Sequence, residues 1–582
     1  MKQVTFAYSF QGSSHIKKEE NSENRGRKFP CQDRSFAGDF EASEIAEKKE
    51  VSLFVKDKNI PSSSVLLPVA LNPHNAAFSL VCVSDGHGGA PYFKSQKGAE
   101  FAIQTAIELL SESIDKIALA LEKKEYTRLN ANLSTSFVRR WIQKVMEDVA
   151  RTDRGVFLEE LNELKEDDEK AWKVYYDEFD AAYGLASQYM NLCRNPVEKD
   201  ENKEQVSLDK KFSKLDIKSM YGCTIAVYFR IKEAPLWYAF KVGDSDILMS
   251  FDEEYIKPIA DDPRCYENVT TSLCNDDVVR NFCFPDEKYL NRVPKTILCS
   301  SDGVANSFTD EEFLKKFYTK LQFSCDEDGP EKTASEIKET LPLLGKKGSG
   351  DDISLAGIIS YDNSLEGKKQ RRESVLNKAA ECSKNGNYDV IEGLFKPYLD
   401  RNDGDFRRHM AYYDYMEARR LADIGVNTNF LTQWNKAYSS MTCIANDFSQ
   451  RNFHSKIKEA LEQLKNMLPN TIDQEICNRF HEITYNSIND LFRPFIESEP
   501  NIYSFYKVVY EYKWIYKCYE KGLFMTFHEA FYKITNELTG LEHIENFNFI
   551  EDGRNILRKM LGNMHKMMGI YWYSRSCIKG TV

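Results

Sequence analysis

The sequence predicts an α+β region over residues 1–362 and an all-α region over residues 363–582. Three observations carry this. Short apolar runs stop abruptly at an acid set beside glycine or serine, most clearly in Val81-Cys82-Val83-Ser84-Asp85-Gly86-His87-Gly88-Gly89. Between them lie stretches with apolar residues at helical spacing, such as Phe101, Ile103, Ala106, Leu109 and Leu110. Beyond Tyr361 the strand pattern ends at a basic junction, Lys368, Lys369, Arg371 and Arg372, and only helical patterns rich in Tyr, Phe, Leu and Met follow.

Taken in order, residues 4–9 alternate as a first strand, and residues 13–27 form a polar loop whose end carries Arg25, Arg27 and Lys28. Residues 40–73 read as an elaborated hairpin, and 77–83 as a strand covered on both faces. Asp85 then sits at a strand's carboxyl end. A carboxylate there can bind hard cations, with Gly86 offering its carbonyl at close range; the alternative is a plain turn in which Asp85 caps a helix starting near Pro91. Helical spacing covers 93–121 and, with breaks, 136–192, while 198–211 is polar enough for a mobile loop. Further strands are expected at 222–227, 237–242, 296–300 and 353–359. In the last region helices are expected at 374–382, 406–421, 457–467, 503–519, 527–538 and 556–573.

Composition excludes several classes. At 582 residues, with 42% hydrophobic and 13% aromatic residues, the chain can build more than one core. No run approaches the ~18 apolar residues of a membrane span, and the N-terminus lacks the pattern of a secretory signal, so a cytoplasmic protein is expected. Fourteen cysteines without any C-x-x-C pair suggest free thiols in a reducing compartment. A net charge of −12 weighs against nucleic acid as a partner.

Gln32-Asp33, Asp85-Gly86-His87-Gly88-Gly89, Gly243-Asp244-Ser245, Ser301-Asp302-Gly303 and Gly350-Asp351-Asp352, in this order, resemble the metal-dependent protein phosphatase family, PPM, the type 2C Ser/Thr phosphatases, over about residues 1–360. The resemblance implies an αββα sandwich of two antiparallel sheets flanked by helices. It implies two Mg²⁺ or Mn²⁺ ions held by Asp33, Asp85, Gly86, Asp302 and Asp351, with Asp85 bridging both, and His87 as general acid. Lys28, with Arg27 beside it, falls where the family holds substrate phosphate with an arginine; lysine does so as a point charge rather than a fork. Gln32 stands where the family often has glutamate, Asp246 replaces an arginine, and Ser219 stands where some members hold a third metal with an acid. Asp352 takes the place of a neighbouring asparagine or aspartate. Asp244 reads as a turn residue bonding its own backbone.

The implied activity is hydrolysis of phosphoserine or phosphothreonine in proteins by metal-activated water, with His87 protonating the leaving oxygen. Two other functions fit the same residues. One is removal of AMP from a tyrosine of a host small GTPase, as PPM-like effectors of intracellular bacteria do, which would deliver the protein into a host cell. The other is a binding module without catalysis, against which the retained Asp33, Asp85, Asp302 and Asp351 argue. The helical region resembles no family and is assigned to targeting or substrate recognition. Its last 34 residues carry a charge of +4 and Met560, Met564, Met567, Met568, Trp572 and Tyr573. Such a stripe is either a core helix or a helix lying on an anionic membrane surface.

Overall fold

The computed structural model describes residues 2–12, 31–41, 49–54, 66–71, 76–194, 201–251, 254–266, 269–445, 451–498, 500–542 and 553–579. The chain divides into two compact units, Met1–Lys368 and Lys369–Val582.

The strands of the first unit are β1 (Lys2–Phe10), β2 (Arg34–Phe40), β3 (Lys49–Phe54), β4 (Leu66–Leu71), β5 (Phe78–Ser84), β6 (Ile225–Ile231), β7 (Trp237–Val242), β8 (Asp246–Phe251), β9 (Glu254–Ile256), β10 (Thr296–Ser300) and β11 (Ile353–Tyr361). One antiparallel sheet runs β1-β11-β10-β8-β9, a second runs β2-β5-β6-β7, and β3 and β4 form a separate hairpin. The helices are α1 (Ser95–Glu122), α2 (Tyr126–Arg151), α3 (Arg154–Asp167), α4 (Glu169–Arg194), α5 (Glu201–Phe212), α6 (Asp302–Ala305), α7 (Glu311–Asp328) and α8 (Pro330–Lys347).

The layering follows from side chains alternating across each strand. On β11, Ile353, Leu355 and Ile359 join Leu314, Tyr318 and Leu321 of α7 and Ile337 and Leu341 of α8 in one core. Ala356 and Ile358 point the other way, into a larger core with Ile297 and Cys299 of β10 and Cys82 of β5. That core continues through the second sheet to Ile103 and Ile107 of α1 and Phe137 and Trp141 of α2. The result is two antiparallel sheets face to face with helices outside both. Every residue of β5 is buried, which is why its sequence reads as a continuous apolar run rather than an alternation.

The expectation of a mobile loop over 198–211 is corrected by α5. Its polar composition is real, but Leu208 and Phe212 are buried, and the Asp209 carboxylate accepts from Arg139 Nε at 2.8 Å and Gln143 Nε2 at 3.0 Å on α2. Two apolar anchors and one buried acid suffice to hold an otherwise solvated helix. Composition averages over such anchors.

The second unit holds nine helices among its described residues: α9 (Leu365–Lys384), α10 (Tyr388–Leu399), α11 (Gly404–Ala422), α12 (Thr428–Ala445), α13 (Arg451–Arg479), α14 (Tyr485–Ser498), α15 (Pro500–Glu520), α16 (Phe524–Glu542) and α17 (Gly553–Lys579). Helices α11 to α17 share a core in which Trp434 of α12, Tyr503 and Ile515 of α15 and Phe527 of α16 are buried together. Met560, Met564, Met567 and Met568 of α17 are buried in that same core. The methionine stripe is therefore spent inside the bundle, as a final core helix would spend it. The side chains of Trp572 and Tyr573 lie outside the described residues. No helix among the described residues is long and apolar enough to cross a membrane.

Candidate active site

Strand register brings the acids together. β2 pairs with β5 with Arg34 opposite Ser84, so Asp33 and Asp85, one residue beyond each, leave the second sheet side by side. β10 pairs with β11 with Ser300 opposite Leu355, so Asp302 leaves β10 where Asp351 and Asp352 lead into β11. Ser301 locks this corner: its N–H donates to Ser354 O at 3.0 Å, and its Oγ accepts from Ser354 N at 2.9 Å. Gly303 permits it, since a Cβ there would lie 2.1 Å from Asp352 O. Asp85 is tied to the entry of β6, not to a helix. Its N–H donates to Thr224 Oγ1 at 3.1 Å and its carbonyl accepts from Thr224 N at 2.8 Å, while α1 begins only at Ser95.

Crowding sets the electrostatics. Asp33 is 1% exposed, and burial, then the nearby Asp352, pushes its carboxyl up to about 8. Asp85 and Ser301 hold the rise back, yet neither oxygen of Asp33 gains a well-formed hydrogen bond. Burial, then Asp33 and Asp302, raise Asp85 well above the usual carboxylate range. Asp302 is pushed up to about 6 by burial, with Asp244 and Asp351 adding to the rise and a hydrogen bond shared with Asp85 opposing it. The hydrogen bond between the two raises Asp85 and holds Asp302 lower. Like charges at this range cannot all ionise without a counter-charge, and no cationic side chain is among the leading influences on the three.

The other sequence-predicted residues divide by what they touch. Asp351 is half-buried and accepts from Asp352 N at 2.8 Å. Asp352 is 3% exposed and accepts from Gly12 N at 2.7 Å and Gln32 N at 2.5 Å, so it fastens β1 and the Gln32-Asp33 segment to β11. Gly86 bridges Cys223, and a Cβ on it would meet Gln32 O at 2.7 Å. The N–H of His87 donates to Gly222 O at 3.1 Å, and its ring meets Tyr92 edge-on with centroids 5.0 Å apart. Burial lowers its pKa to about 4. Asp244 bonds its own backbone and Thr270, as the turn reading expects. Asp246 is buried against Lys257 Nζ at 3.0 Å. Lys28 and Arg27 lie outside the described residues. Sequence reasoning gave no role to the hydroxyls of Thr224, Ser301 and Ser95, which organise the corner. A lone Ser or Thr near a strand end is too common to stand out.

The donor set suits hard divalent cations. Asp33 Oδ1 and Oδ2 are buried acceptors without a hydrogen-bond partner, which is the demand a cation or its bound water meets. The donors are all oxygens, matching Mg²⁺ or Mn²⁺ rather than zinc. Among the described residues no three His, Cys, Asp or Glu side chains are already spread as a ligand shell. Asp85 and Asp302 hydrogen-bond to each other instead, and a cation held by them would take the place of that bond.

Residues 70–341 match a family described as Protein phosphatase 2C. This stretch is protein phosphatase 2C-like. No curated protein matches the chain. Similar solved structures include the S. agalactiae serine/threonine phosphatase, 14% identical, covering 62% of this chain and 100% of that one with a TM-score of 0.26. A bacterial serine phosphatase is 11% identical over 62% and 100% of the two chains, TM-score 0.29, and the phosphatase domain of the Bacillus subtilis cell fate determinant SpoIIE is 9% identical over 62% and 94%, TM-score 0.22. The 2C-like stretch contains Asp85, His87 and Asp302. Asp33 and Asp351 lie outside it and join the cluster through the pairings of β2 and β11.

A carboxyl whose folded pKa is raised stays protonated in the fold while the unfolded chain ionises near pH 4. It therefore costs stability progressively as pH rises from about 4 to about 8 for Asp33. In metal-free protein, Asp33→Asn should raise the melting temperature by several °C at pH 8 and by little at pH 4, measured by thermal unfolding. A gain that does not grow with pH would mean that Asp33 is not held protonated by burial.

Proposed function

We propose that the first unit is a metal-dependent phosphatase acting on phosphoserine or phosphothreonine in proteins. The observation that supports it best is the convergence of Asp33, buried with both oxygens unpartnered, with half-buried Asp85 and Asp302, within and beside the 2C-like stretch. When bound, two Mg²⁺ or Mn²⁺ ions would lower the pKa of a water and offset the charge of the phosphate. Asp85, which adjoins both Asp33 and Asp302, is assigned to both ions; Asp33, Asp302, Asp351 and the Gly86 carbonyl are assigned to one each. Lys28 and Arg27 are assigned to the substrate phosphate.

His87 is assigned to protonate the leaving oxygen. Burial alone leaves its ring neutral at physiological pH, and a phosphate dianion brought beside it raises its pKa toward the working range. General-acid catalysis of this kind contributes ~10²–10⁴-fold. The helical region, residues 363–582, is assigned to recognition of the protein substrate or to targeting.

Wild-type protein with Mn²⁺ should hydrolyse both a phosphothreonine peptide and p-nitrophenyl phosphate, and Asp302→Ala should lose more than ~10²-fold of that turnover. Near-normal turnover in the variant would contradict the metal assignment, and turnover of only an AMP-modified GTPase would replace the phosphomonoester reading with a phosphodiester one. His87→Gln should slow the phosphothreonine peptide far more than p-nitrophenyl phosphate, whose leaving group hardly needs a proton. Equal losses in kcat on both substrates would remove His87 from the proton transfer.

A further inference from the structure

The side-chain amide of Gln32 is spent on the segment that carries His87, and the bond to His87 demands a donor. Its Nε2 donates to the carbonyl oxygen of His87 at 3.1 Å and to Ser95 Oγ at 2.7 Å. The carbonyl of His87 can only accept, so the atom facing it is the nitrogen and not the oxygen of the carboxamide. The backbone N–H of Gln32 is fixed by Asp352 at 2.5 Å, and the residue is 2% exposed. Both amide hydrogens are thereby used on the segment that carries His87 and opens α1.

That segment needs a hold. Gly88 has open space where a Cβ would be, and Gly89 adopts φ +101°, so residues 86–89 have little side-chain packing of their own and much conformational freedom to lose. Besides the local turn bond from Tyr92 N to Gly89 O at 3.1 Å, two ties join the loop to the fold: His87 N to Gly222 O at 3.1 Å, and the bridge of Gly86 to Cys223. These two act from the β6 side. Gln32 grips the loop from the β2 side, and a glutamate would set a buried anion against the His87 carbonyl beside Asp33 and Asp85, where further negative charge is least tolerated.

We propose that Gln32 is the positioning residue for His87, clamping residues 86–89 between the two edges of the site through its side-chain amide. The kinetic arm of the test rests on the phosphatase reading; the exchange arm does not. Gln32→Met keeps the length of the side chain and removes both donors. In the metal-free full chain it should speed amide hydrogen exchange at residues 86–89 about tenfold, the loss of one or two buried hydrogen bonds, while exchange in β5 and β6 stays as in wild type. On the loaded enzyme it should lower kcat for a phosphothreonine peptide about tenfold more than for p-nitrophenyl phosphate, reproducing the pattern of His87→Gln, with the Mn²⁺ requirement unchanged. Unchanged exchange at 86–89 overturns the proposal, as does an equal loss on both substrates accompanied by a raised Mn²⁺ requirement, which would make Gln32 a metal-holding residue. If wild-type protein hydrolyses neither substrate, the phosphatase reading fails and exchange alone decides the clamp. Should Gln32→Met not fold, Gln32→Leu, which also lacks the donors and adds no charge, is read against the same outcomes.

Discussion

The structure of the first unit turns on the mutual crowding of carboxylates, one buried and two half-buried. Asp33, Asp85 and Asp302 are brought within reach of one another by two strand registers, Arg34 against Ser84 and Ser300 against Leu355. In water such acids would separate. Here the surrounding sheets, with β5 and β11 buried along their whole length, hold them in place, and protonation of Asp33 and Asp85 relieves the repulsion. Stability is thereby stored as a demand for positive charge, which is what a cation-dependent site requires.

The corner is kept in register by groups that carry no chemistry. Asp352 spends both oxygens on the backbone of Gly12 and Gln32, Ser301 ties the end of β10 to β11, and Thr224 ties Asp85 to the entry of β6. Each joins an acid-bearing loop to a neighbouring strand. Adjacent Asp351 and Asp352 show how sharply environment divides like residues: one faces the cluster from a half-buried position, the other is consumed in backbone hydrogen bonds.

Much of this was legible in the sequence where a local signal exists. A fully apolar run stopping at Asp85 and glycines marks a covered strand and its end, and the same pattern before Asp302 marks β10. The strand pairings that make those ends converge have no local signature, which is why Asp352 could be located but not given its backbone-fastening role. The same limit explains α5, whose helix depends on Asp209 reaching Arg139 and Gln143 on another element. In the second unit, α10 and α14 carry internal prolines, Pro397 and Pro494, which break the pattern without breaking the helix. Both helices went unread, as did α12. The methionines of α17, ambiguous as a stripe, are resolved only by the core they enter.

If the acids form one cation-dependent centre, loading it must expel the protons that crowding now retains. Calorimetric titration of Mn²⁺ into the full chain at pH 7, repeated in buffers of different ionisation enthalpy, reads both binding and proton release. The account predicts saturable Mn²⁺ binding with net release of protons, and loss of both in Asp85→Asn. Absence of Mn²⁺ binding, or binding that releases no protons and survives in Asp85→Asn, would contradict it.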